Sequence, residues 1–262
     1  MTEQIVSFED EKPVLDVLYQ DEHIVAVNKP SGLFVHKSFM DRHERYFALQ
    51  LVRDMVGQYV YPLHRLDRPT SGVLLFALNQ DMARAMGELF TNHDVNKTYF
   101  AITRGHLLGE HYVDHPLKEK LDKLGDKFVN EEKEAQSAQT SLIGIDTATL
   151  PIPVGKYDTV RYSLVKLMPK TGRRHQLRRH LSHLRYPIIG DINYGDNKQN
   201  PFFAQHFDVK RLMLHAKQVQ FVHPVTKKQV TIDAPYDAQW QEIFKQLDWQ
   251  KHCFKKEKVS NS

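Results

Sequence analysis

HRLDRPTSGVLLFA, residues 64–77, is the stretch that decides the fold. Its second half is a short apolar run bounded by turn residues, which is the pattern of a buried strand. Its first half places one carboxylate, Asp67, between two arginines. Pro69 favours an extended backbone at the residue before it, and Ser71-Gly72 is a turn that leads into the strand. Asp67 is therefore predicted on a tight loop at the edge of a sheet, where it either performs chemistry or caps its own backbone as an Asx-turn.

This stretch resembles the second motif of the RluA-type pseudouridine synthases, His-Arg-Leu-Asp-x-x-Thr-Ser-Gly before an apolar strand. KTYFAI, residues 97–102, resembles the family's Lys-x-Tyr-x-Ala strand. TGRRHQLR, residues 171–178, resembles its Thr-Gly-Arg-x-His-Gln-Leu-Arg segment. NKPSG, residues 28–32, resembles a first motif, in which Lys29 and Pro30 either shape the cleft wall or belong to a polar loop. The resemblance covers roughly residues 14 to 235 and implies conversion of uridine in RNA to pseudouridine.

The composition is compatible with such a substrate. At 262 residues and 41% hydrophobic, the chain can bury one large core or two modest ones. The net charge of +4 is small, but residues 173–185 hold five arginines and three histidines without a carboxylate. A solvated helix face usually carries both signs, whereas a block of one sign suits an anionic polymer.

The single cysteine and the N-terminal composition indicate a cellular compartment. Cys253 alone cannot form an intramolecular disulfide and fits a reducing environment. The acidic first dozen residues do not suit a secretory or mitochondrial leader, and no apolar run approaches membrane-spanning length. We therefore expect a soluble, cytoplasmic protein that has no membrane partner.

Hydrophobic periodicity predicts many short strands and a few helices, which indicates an α+β fold with a largely antiparallel sheet. The family resemblance implies one long bent sheet with the active cleft across its middle. A hairpin is predicted from Val14 to Val27, and Asn79 is predicted to cap a helix. The helices are expected over 47–56, 80–92 and 239–247; the strands over 97–103, 161–167, 212–215, 219–222 and 230–232; and residues 193–210 are expected to be loop-rich.

One further helix is predicted directly after Gly172, with leucines 177, 181 and 184 as its apolar stripe. Arg174, Arg178 and Arg185 are expected close together beside that stripe. The helix is expected to end at residues 186–191, where proline and glycine interrupt the pattern.

The chain is expected to form one catalytic domain over residues 14–248, with terminal tails at 1–13 and 249–262. A separate N-terminal RNA-binding domain is expected to be absent. Residues 118–139 are charged in both signs and contain few large apolar groups, which is typical of an insert. This insert serves either solubility alone or as an arm that touches the RNA.

The resemblance assigns roles to matching positions. Asp67 is expected to be the catalytic carboxylate, acting as nucleophile at the sugar or as base on its 2′ position. Arg178 is expected to keep Asp67 charged once water has left, because arginine stays protonated and can bind a carboxylate bidentately. Tyr99 is expected to pack against the target base and to assist a proton transfer. Leu177 is expected to line the other side of the pocket.

The remaining site residues are expected to contact the RNA. An enzyme that acts on a base inside a helix must flip that base out of the stack, and Arg65 is expected to fill the vacated place. His64 is expected to contact the RNA backbone or a neighbouring base. Phosphate contacts that fix the register are expected from Arg173, Arg174 and Arg179.

No cofactor and no metal site are predicted, because the reaction needs neither and the sequence lacks a phosphate-cradling glycine loop and a paired-cysteine metal motif. One alternative is a metal-dependent hydrolase built on histidines 175, 180 and 183 with Asp191, although this spacing fits no common zinc helix motif. A second alternative is a non-catalytic RNA-binding protein. The intact set of Asp67, Tyr99 and Arg178 argues against it.

Within the family, the chain most resembles the branch that modifies uridine 65 on the T-stem of transfer RNA. That resemblance depends on the absent N-terminal domain, the insert and the run from Pro153 to Asp191. A stem offers shape, phosphates and 2′-hydroxyls to a protein, and the cations of residues 173–185 suit that surface. Ribosomal RNA or another transfer-RNA position is the alternative partner. The sequence does not determine the oligomeric state, and a monomer is the default expectation.

Overall fold

The apolar run of residues 71–77 forms a fully buried strand, β4 (Ser71–Ala77), at the middle of the molecule. In the computed structural model, residues 12–37, 44–118 and 134–253 are described. Their other strands are β1 (Asp16–Gln20), β2 (Ile24–Lys29), β3 (Tyr61–Pro62), β5 (Asn96–Arg104), β6 (Gly109–Asp114), β7 (Gln139–Leu150), β8 (Val160–Pro169), β9 (Leu214–Val222) and β10 (Gln229–Asp233). The helices are α1 (Ala48–Val56), α2 (Gln80–Thr91), α3 (Gln176–His183), α4 (Gln199–Phe207) and α5 (Ala238–Gln246), followed by a 3₁₀ turn at Gln250–His252.

All ten strands belong to one sheet, whose main path runs β1-β2-β4-β9-β5-β8-β7-β6. β3 pairs with β4 and β10 pairs with β9 outside that path. The strand pairs are antiparallel except β4 with β9. The predicted α+β class with a largely antiparallel sheet is therefore confirmed.

The parallel pairing of β4 with β9 joins the two halves of the sheet through only two residue pairs, Ser71 with His215 and Gly72 with Ala216. At Gly72, φ is 114°, and an added Cβ would lie 2.2 Å from the carbonyl oxygen of Ala216. Only glycine tolerates both this backbone conformation and this close approach. The glycine that ends the second motif is thus the residue that permits the junction.

Each half of the sheet has its own core. Alternate residues of β2 and β4 point to opposite faces, so one set packs under α1 and the other under α2. The second half packs against α3, α4 and α5, with buried Leu181, Phe203 and Trp240. Tyr99 of β5 packs against the α1 core and also against the core of the second half. Among the described residues, no helix is long and apolar enough to cross a membrane.

Several local predictions are confirmed. β1 and β2 form the hairpin expected between Val14 and Val27. Asn79 caps α2, since its side-chain oxygen accepts the backbone N–H of Met82 at 2.8 Å. The helices expected over 47–56 and 239–247 appear as α1 and α5 with boundaries shifted by one residue. The two strands expected over 212–215 and 219–222 are one continuous strand, β9.

The prediction that residues 193–210 are loop-rich is wrong, because α4 lies there. The carboxylate of Asp196 accepts the backbone N–H groups of Lys198 and Gln199 at 2.8 Å and so begins the helix. Phe203 and Phe207 then pack edge-on against Tyr162 of β8, with ring centroids 5.2 and 6.1 Å away. The turn residues at 195–198 hide this start in the sequence.

The expected grouping of Arg174, Arg178 and Arg185 on one helix is also wrong. α3 begins only at Gln176, because His175 before it has a left-handed backbone with φ of 54°. Arg185 lies beyond the end of α3 and is left-handed as well, with φ of 65°. Arg174 and Arg185 are therefore off the helix and exposed, whereas Arg178 is buried.

Parts of the chain for which predictions were made lie outside the described residues. These are 1–11 and 254–262 in the expected tails and 119–133 in the expected insert. At the base of the insert, Leu117 and Gln136 form an antiparallel bridge. The two ends of the insert are therefore held side by side next to β6 and β7.

Candidate active site

Asp67 lies on a tight loop between β3 and β4, as the sequence predicts. The N–H of Thr70 donates to the carbonyl of Asp67 at 3.0 Å, which closes the turn. The N–H of Gly32 donates to the carbonyl of Arg68 at 2.9 Å, which ties this turn to the loop after β2. Arg68 itself points away from the carboxylate, because its Nε donates to the carbonyl of Gly32 and its NH2 pairs with Glu44. The Asp67 side chain is 21% exposed.

The side chain of Lys29 connects the Asp67 loop to the loop after β2. Its fully buried Nζ donates to the carbonyls of Pro30 (2.9 Å), Leu33 (2.7 Å) and Arg68 (3.0 Å). Burial and the nearby charge of Arg211 lower the pKa of Lys29 well below its ordinary value, while the charge of Asp67 opposes them. Three carbonyl acceptors require three N–H donors, which only the charged amine supplies. Lys29 thus serves as a charged anchor of two loops, a role that the sequence left open.

A buried polar network holds the start of β4. Ser71 Oγ lies 2.8 Å from Nδ1 of His215 and accepts a hydrogen bond from NH2 of Arg211 at 2.6 Å. Arg211 NH1 also pairs with Asp237 at 2.5 Å. Burial lowers the pKa of His215 to about 3, so this imidazole is neutral. The network joins β4, β9 and the start of α5 directly behind the Asp67 loop.

The imidazole of His64, in the loop after β3, is hydrogen-bonded to the sheet. Its Nε2 accepts the backbone N–H of Leu75 at 3.1 Å, and its ring stacks on Phe90. β3 pairs with β4 only at residues 76–77 and β9 only at 71–72, so the N–H of Leu75 lies in the gap between them. Burial and the charge of Lys97 lower the pKa of His64 to about 4, which keeps it a neutral acceptor. The RNA contact expected for His64 stays a prediction.

The third motif is fastened to β7 by Gln176. Its Oε1 accepts hydrogen bonds from the Thr171 hydroxyl (2.7 Å) and the N–H of Arg173 (3.0 Å). Its Nε2 donates to the carbonyl of Gln139 and the hydroxyl of Thr140, both at 3.0 Å. The loop before α3 is therefore rigid, and α3 aims Arg178 at the Asp67 loop.

Arg178 connects Asp67 to a second carboxylate. Its Nε and NH2 donate to the two oxygens of Asp191 at 2.7 and 2.8 Å, and its NH1 donates to Oδ2 of Asp67 at 3.3 Å. Burial opposes the charge of Arg178, but the ion pairs with Asp191 and Asp67 outweigh it and raise the pKa of the guanidinium. Asp191 has a fully buried side chain and also accepts the N–H groups of Asn193 and Tyr194. Bidentate pairing fixes the plane of the guanidinium and leaves one nitrogen for Asp67.

Sequence reasoning missed this role of Asp191, which it considered only as a metal ligand. The available signal was that Asp191 is the first carboxylate after the block of cations at residues 173–185. Histidines 180 and 183 of that alternative do not meet Asp191. Nδ1 of His180 instead lies 3.0 Å from the Thr140 hydroxyl, and its Nε2 lies 3.1 Å from the carbonyl oxygen of His115. The ring of His183 stacks on the ring of His115.

Tyr99 lies on β5 opposite Ala216 of β9, the residue that pairs with Gly72 where the two halves of the sheet join. The β5–β9 pairing shifts register between Thr98 and Tyr99. Burial and the negative charge of Asp67 raise the pKa of Tyr99, so its hydroxyl stays protonated. Leu177 is buried in the core of the second half. The structure thus brings Asp67, Arg178 and Tyr99 into one electrostatic environment at the middle of the sheet.

The predicted phosphate contacts lie further out. Arg65 and Arg174 are exposed. Arg173 Nε donates to the carbonyl of Ser137 at 3.0 Å, and Arg179 NH1 donates to the carbonyl of Lys118 at 2.8 Å. The last two arginines therefore support the ends of the insert, and their contacts with phosphate stay predictions.

His175 was also considered only as a metal ligand, yet it lies beside Asp67. Its Nε2 is 3.9 Å from Oδ2 of Asp67, and its Nδ1 is 3.1 Å from the hydroxyl of Tyr194. The Tyr194 ring in turn lies 5.3 Å from the guanidinium carbon of Arg178. Asp67 is therefore bordered by a buried arginine, a protonated tyrosine and an imidazole. A carboxylate in such surroundings is suited to nucleophilic or general-base chemistry.

A largely antiparallel sheet with a carboxylate, an arginine and a tyrosine near its middle is the arrangement expected of a class of RNA-modifying enzymes, the pseudouridine synthases. The family model described as RNA pseudouridylate synthase matches residues 23–183, which include all the motifs quoted above. The chain belongs to this family, and the resemblance read from its motifs is confirmed.

Relatives and solved structures agree with this assignment. The chain is 51% identical over 237 residues to "tRNA pseudouridine synthase C" of Vibrio cholerae, which covers 90% of this chain and 97% of that protein. It is 52% identical over 235 residues to the protein of the same name from Pasteurella multocida, with 90% and 97% covered. The solved structure of human RNA pseudouridylate synthase domain containing 4 superposes with a TM-score of 0.65 at 28% identity, covering 88% of this chain and 92% of that one.

Proposed function

We propose that this chain isomerises uridine 65 of transfer RNA to pseudouridine, with Asp67 as the catalytic carboxylate and one catalytic domain over residues 14–248. The 3.3 Å contact between NH1 of Arg178 and Oδ2 of Asp67 carries the proposal, because it unites two motifs that lie 111 residues apart. Transfer RNA as the substrate is supported by relatives named tRNA pseudouridine synthase C that cover 90% of the chain. Position 65 rests on the resemblance of the sequence to the branch that modifies the T-stem.

The reaction moves one glycosidic bond within a nucleotide. The bond between N1 of the base and C1′ of the sugar breaks, the base turns, and C5 joins C1′. C5 then loses a proton and N1 gains one, so that no atom is added or removed overall. Asp67 acts as nucleophile at the sugar or as base on its 2′ position, and both roles need the ionised carboxylate that Arg178 stabilises.

The contacts around Asp67 suit a site that works without bulk water. Arg178 is 3% exposed and held by the fully buried Asp191, so its charge stays in place when RNA covers the cleft. Charges interact more strongly where water is excluded. Tyr99, protonated and beside Asp67, is placed to pack against the flipped base.

The exposed arginines suit the surface of a stem. Arg65 is proposed to fill the place of the flipped base, and Arg174 to contact phosphate. Arg173 and Arg179 carry positive charge near the insert and are proposed to face the same backbone. Phosphate contacts of this kind make binding weaken with salt.

The test uses transfer RNA transcribed in vitro with uridine tritiated at C5, so that release of tritium reports the loss of the C5 hydrogen. Chemical mapping then locates the product, and a transcript carrying cytidine at position 65 is the matched control. A single product at position 65, absent from the control, supports the proposal. Product only in ribosomal RNA or in the anticodon arm would overturn the substrate, and no tritium release from any RNA would indicate a non-catalytic RNA-binding protein.

A further inference from the structure

His175 shares its target atom with Arg178. Nε2 of His175 lies 3.9 Å from Oδ2 of Asp67, and NH1 of Arg178 lies 3.3 Å from the same oxygen. Two donors on one oxygen hold a carboxylate in one rotation about its last side-chain bond. Within the described part of the chain, these two side chains therefore converge on the same oxygen of Asp67.

The backbone of His175 fixes the direction of its ring. Its φ of 54° is left-handed, a conformation that few residues other than glycine, asparagine, aspartate and histidine adopt. This conformation sits directly before α3, whose first residue, Gln176, is tied to β7. Tyr194 meets the ring edge-on with centroids 5.7 Å apart. The imidazole is thus held by its backbone conformation and by Tyr194.

The two neighbours of His175 also select its tautomer. An ionised carboxylate is only an acceptor, so the nitrogen that faces Asp67 must carry the proton. Nε2 is that nitrogen, and Nδ1 is then the acceptor for the hydroxyl of Tyr194 at 3.1 Å. The opposite tautomer would set a lone pair of Nε2 against the carboxylate.

We propose, building on the proposed function, that His175 is a positioning residue of the pseudouridine synthase reaction. Its neutral imidazole, with the proton on Nε2 and Nδ1 bound by Tyr194, holds Oδ2 of Asp67 together with Arg178. Oδ1 is then the oxygen presented to the sugar. The 3.9 Å separation shortens to a hydrogen bond when RNA closes the site, as contacts in catalytic sites tighten on substrate binding.

The charges around His175 are consistent with a neutral ring. Burial lowers the pKa of His175, and the positive charges of Arg178 and Arg174 lower it further. Asp67 and Asp191 act in the opposite direction. The ring is therefore an uncharged donor at neutral pH, and it adds no second cation beside Arg178.

Two substitutions separate the two nitrogens of the ring. His175→Gln places an amide N–H near the position of Nε2 and keeps the donor for Asp67. His175→Asn reaches only to the position of Nδ1, keeps the contact with Tyr194, and is tolerated in the left-handed conformation. Wild type and both variants are compared in multiple-turnover tritium release over a range of transfer-RNA concentrations and of pH, and thermal unfolding shows whether each variant is folded.

We expect His175→Asn to lower kcat by about 10- to 100-fold with KM changed by less than about threefold. Its activity should fall off at a higher pH on the acid side than that of the wild type, because a donor to the ionised carboxylate is gone. His175→Gln should retain kcat within about fivefold. Tyr194→Phe, which leaves residue 175 unchanged, should lower kcat by about three- to tenfold, since the tautomer is no longer fixed.

Wild-type kcat in folded His175→Asn, or an equal loss in the Asn and Gln variants, would overturn the inference. If His175→Asn does not fold, wild-type kcat in Tyr194→Phe would overturn it instead. Absence of tritium release from the wild type would contradict the proposed function and not the role of His175. The parallel wild-type reaction distinguishes these two failures.

Discussion

Two segments meet at Asp67, and they are held in different ways. The catalytic loop, residues 64–72, is held through its backbone and its first strand residue by buried Lys29 and Arg211. The arginine segment, residues 171–178, reaches the same place with side chains that contact the carboxylate itself. The catalytic loop therefore sets the position of Asp67, whereas the arginine segment stabilises the charge and sets the orientation of its carboxylate.

This difference separates stability from turnover. Contacts to the backbone of the catalytic loop are formed whether or not RNA is bound, so their loss is expected to lower the free energy of unfolding. Contacts of the arginine segment with the carboxylate affect the reacting group, so their loss is expected to lower kcat. Substitutions in the two segments therefore test whether the separation holds.

The largest effect is expected at the point where the segments meet. Asp67→Asn is nearly isosteric and should lower kcat by at least about 1,000-fold, because the amide is neither a nucleophile nor a base. Affinity for transfer RNA should change little, since it depends mainly on phosphate contacts. Multiple-turnover tritium release and filter binding measure the two quantities. Product from Asp67→Asn, with contamination by wild type excluded, would show that another group performs the chemistry.

The next effect is expected in the arginine segment. Arg178→Met should lower kcat by about 100- to 1,000-fold, since the charge that stabilises Asp67 is lost. It should also lower the free energy of unfolding by about 3–5 kcal/mol, because Asp191 is left as a buried, uncompensated charge. Arg53→Met, on the exposed face of α1, is the matched control and should resemble the wild type. Normal turnover in Arg178→Met would mean that another cation supports Asp67.

Substitution at the catalytic loop should lower stability with little loss of turnover. Lys29→Met removes a buried donor from three carbonyls; among the described residues, only that of Arg68 keeps another donor, the N–H of Gly32. It should lower the free energy of unfolding by about 2–6 kcal/mol. Its kcat should fall by less than about tenfold wherever the variant is folded. Urea unfolding of this variant and of Lys37→Met, an exposed control, measures the first quantity. An unchanged free energy of unfolding in Lys29→Met would contradict the inference that contacts of the catalytic loop serve stability.

The smallest effect concerns His64 and acid. The pKa of His64 is about 4 in the folded protein and 6.5 ordinarily. Between pH 6.5 and pH 4, His64 is therefore protonated in the unfolded chain but neutral in the folded protein. The stabilisation is complete above pH 6.5 and is lost as the pH falls towards 4, by about 2 kcal/mol at pH 5. His64→Gln keeps an acceptor without this titration, and His215 continues to titrate in both proteins. Urea unfolding at pH 7 and pH 5 should show a smaller loss in the variant, and equal losses would contradict the assignment.

The sequence predicted those parts of the molecule that are set by local patterns. Alternating apolar residues revealed the hairpin of β1 and β2, and the turn chemistry around Pro69 placed Asp67 at the edge of a sheet. The left-handed residues His175 and Arg185 have no such signal, so helical spacing was extended through them and misplaced two arginines. The start of α4 was missed because Asp196, which accepts the N–H groups of Lys198 and Gln199 just before the helix, lies among turn residues.

The sequence predicted which residues lie at the candidate site, but it did not predict which contacts these residues make. Asp67, Tyr99 and Arg178 were identified by resemblance to family motifs, and the structure brings them together. The pairing of Arg178 with Asp191 could not be predicted, because a side chain's direction in space decides which carboxylate it meets. His64 was assigned to RNA for a similar reason. Its bond to Leu75 depends on a gap in strand pairing that becomes visible only in three dimensions.

The two-pair junction between β4 and β9 has a consequence for biosynthesis. Every residue proposed for the chemistry lies before residue 195, whereas β9 begins at Leu214. More than 130 residues separate the two strands, and a ribosome needs on the order of ten seconds to add them. During that time the edge of β4 at Gly72 has no partner strand. A nascent chain can therefore contain all the motifs and still lack the β4–β9 junction that aligns them. We expect activity to appear only after β9 has been synthesised.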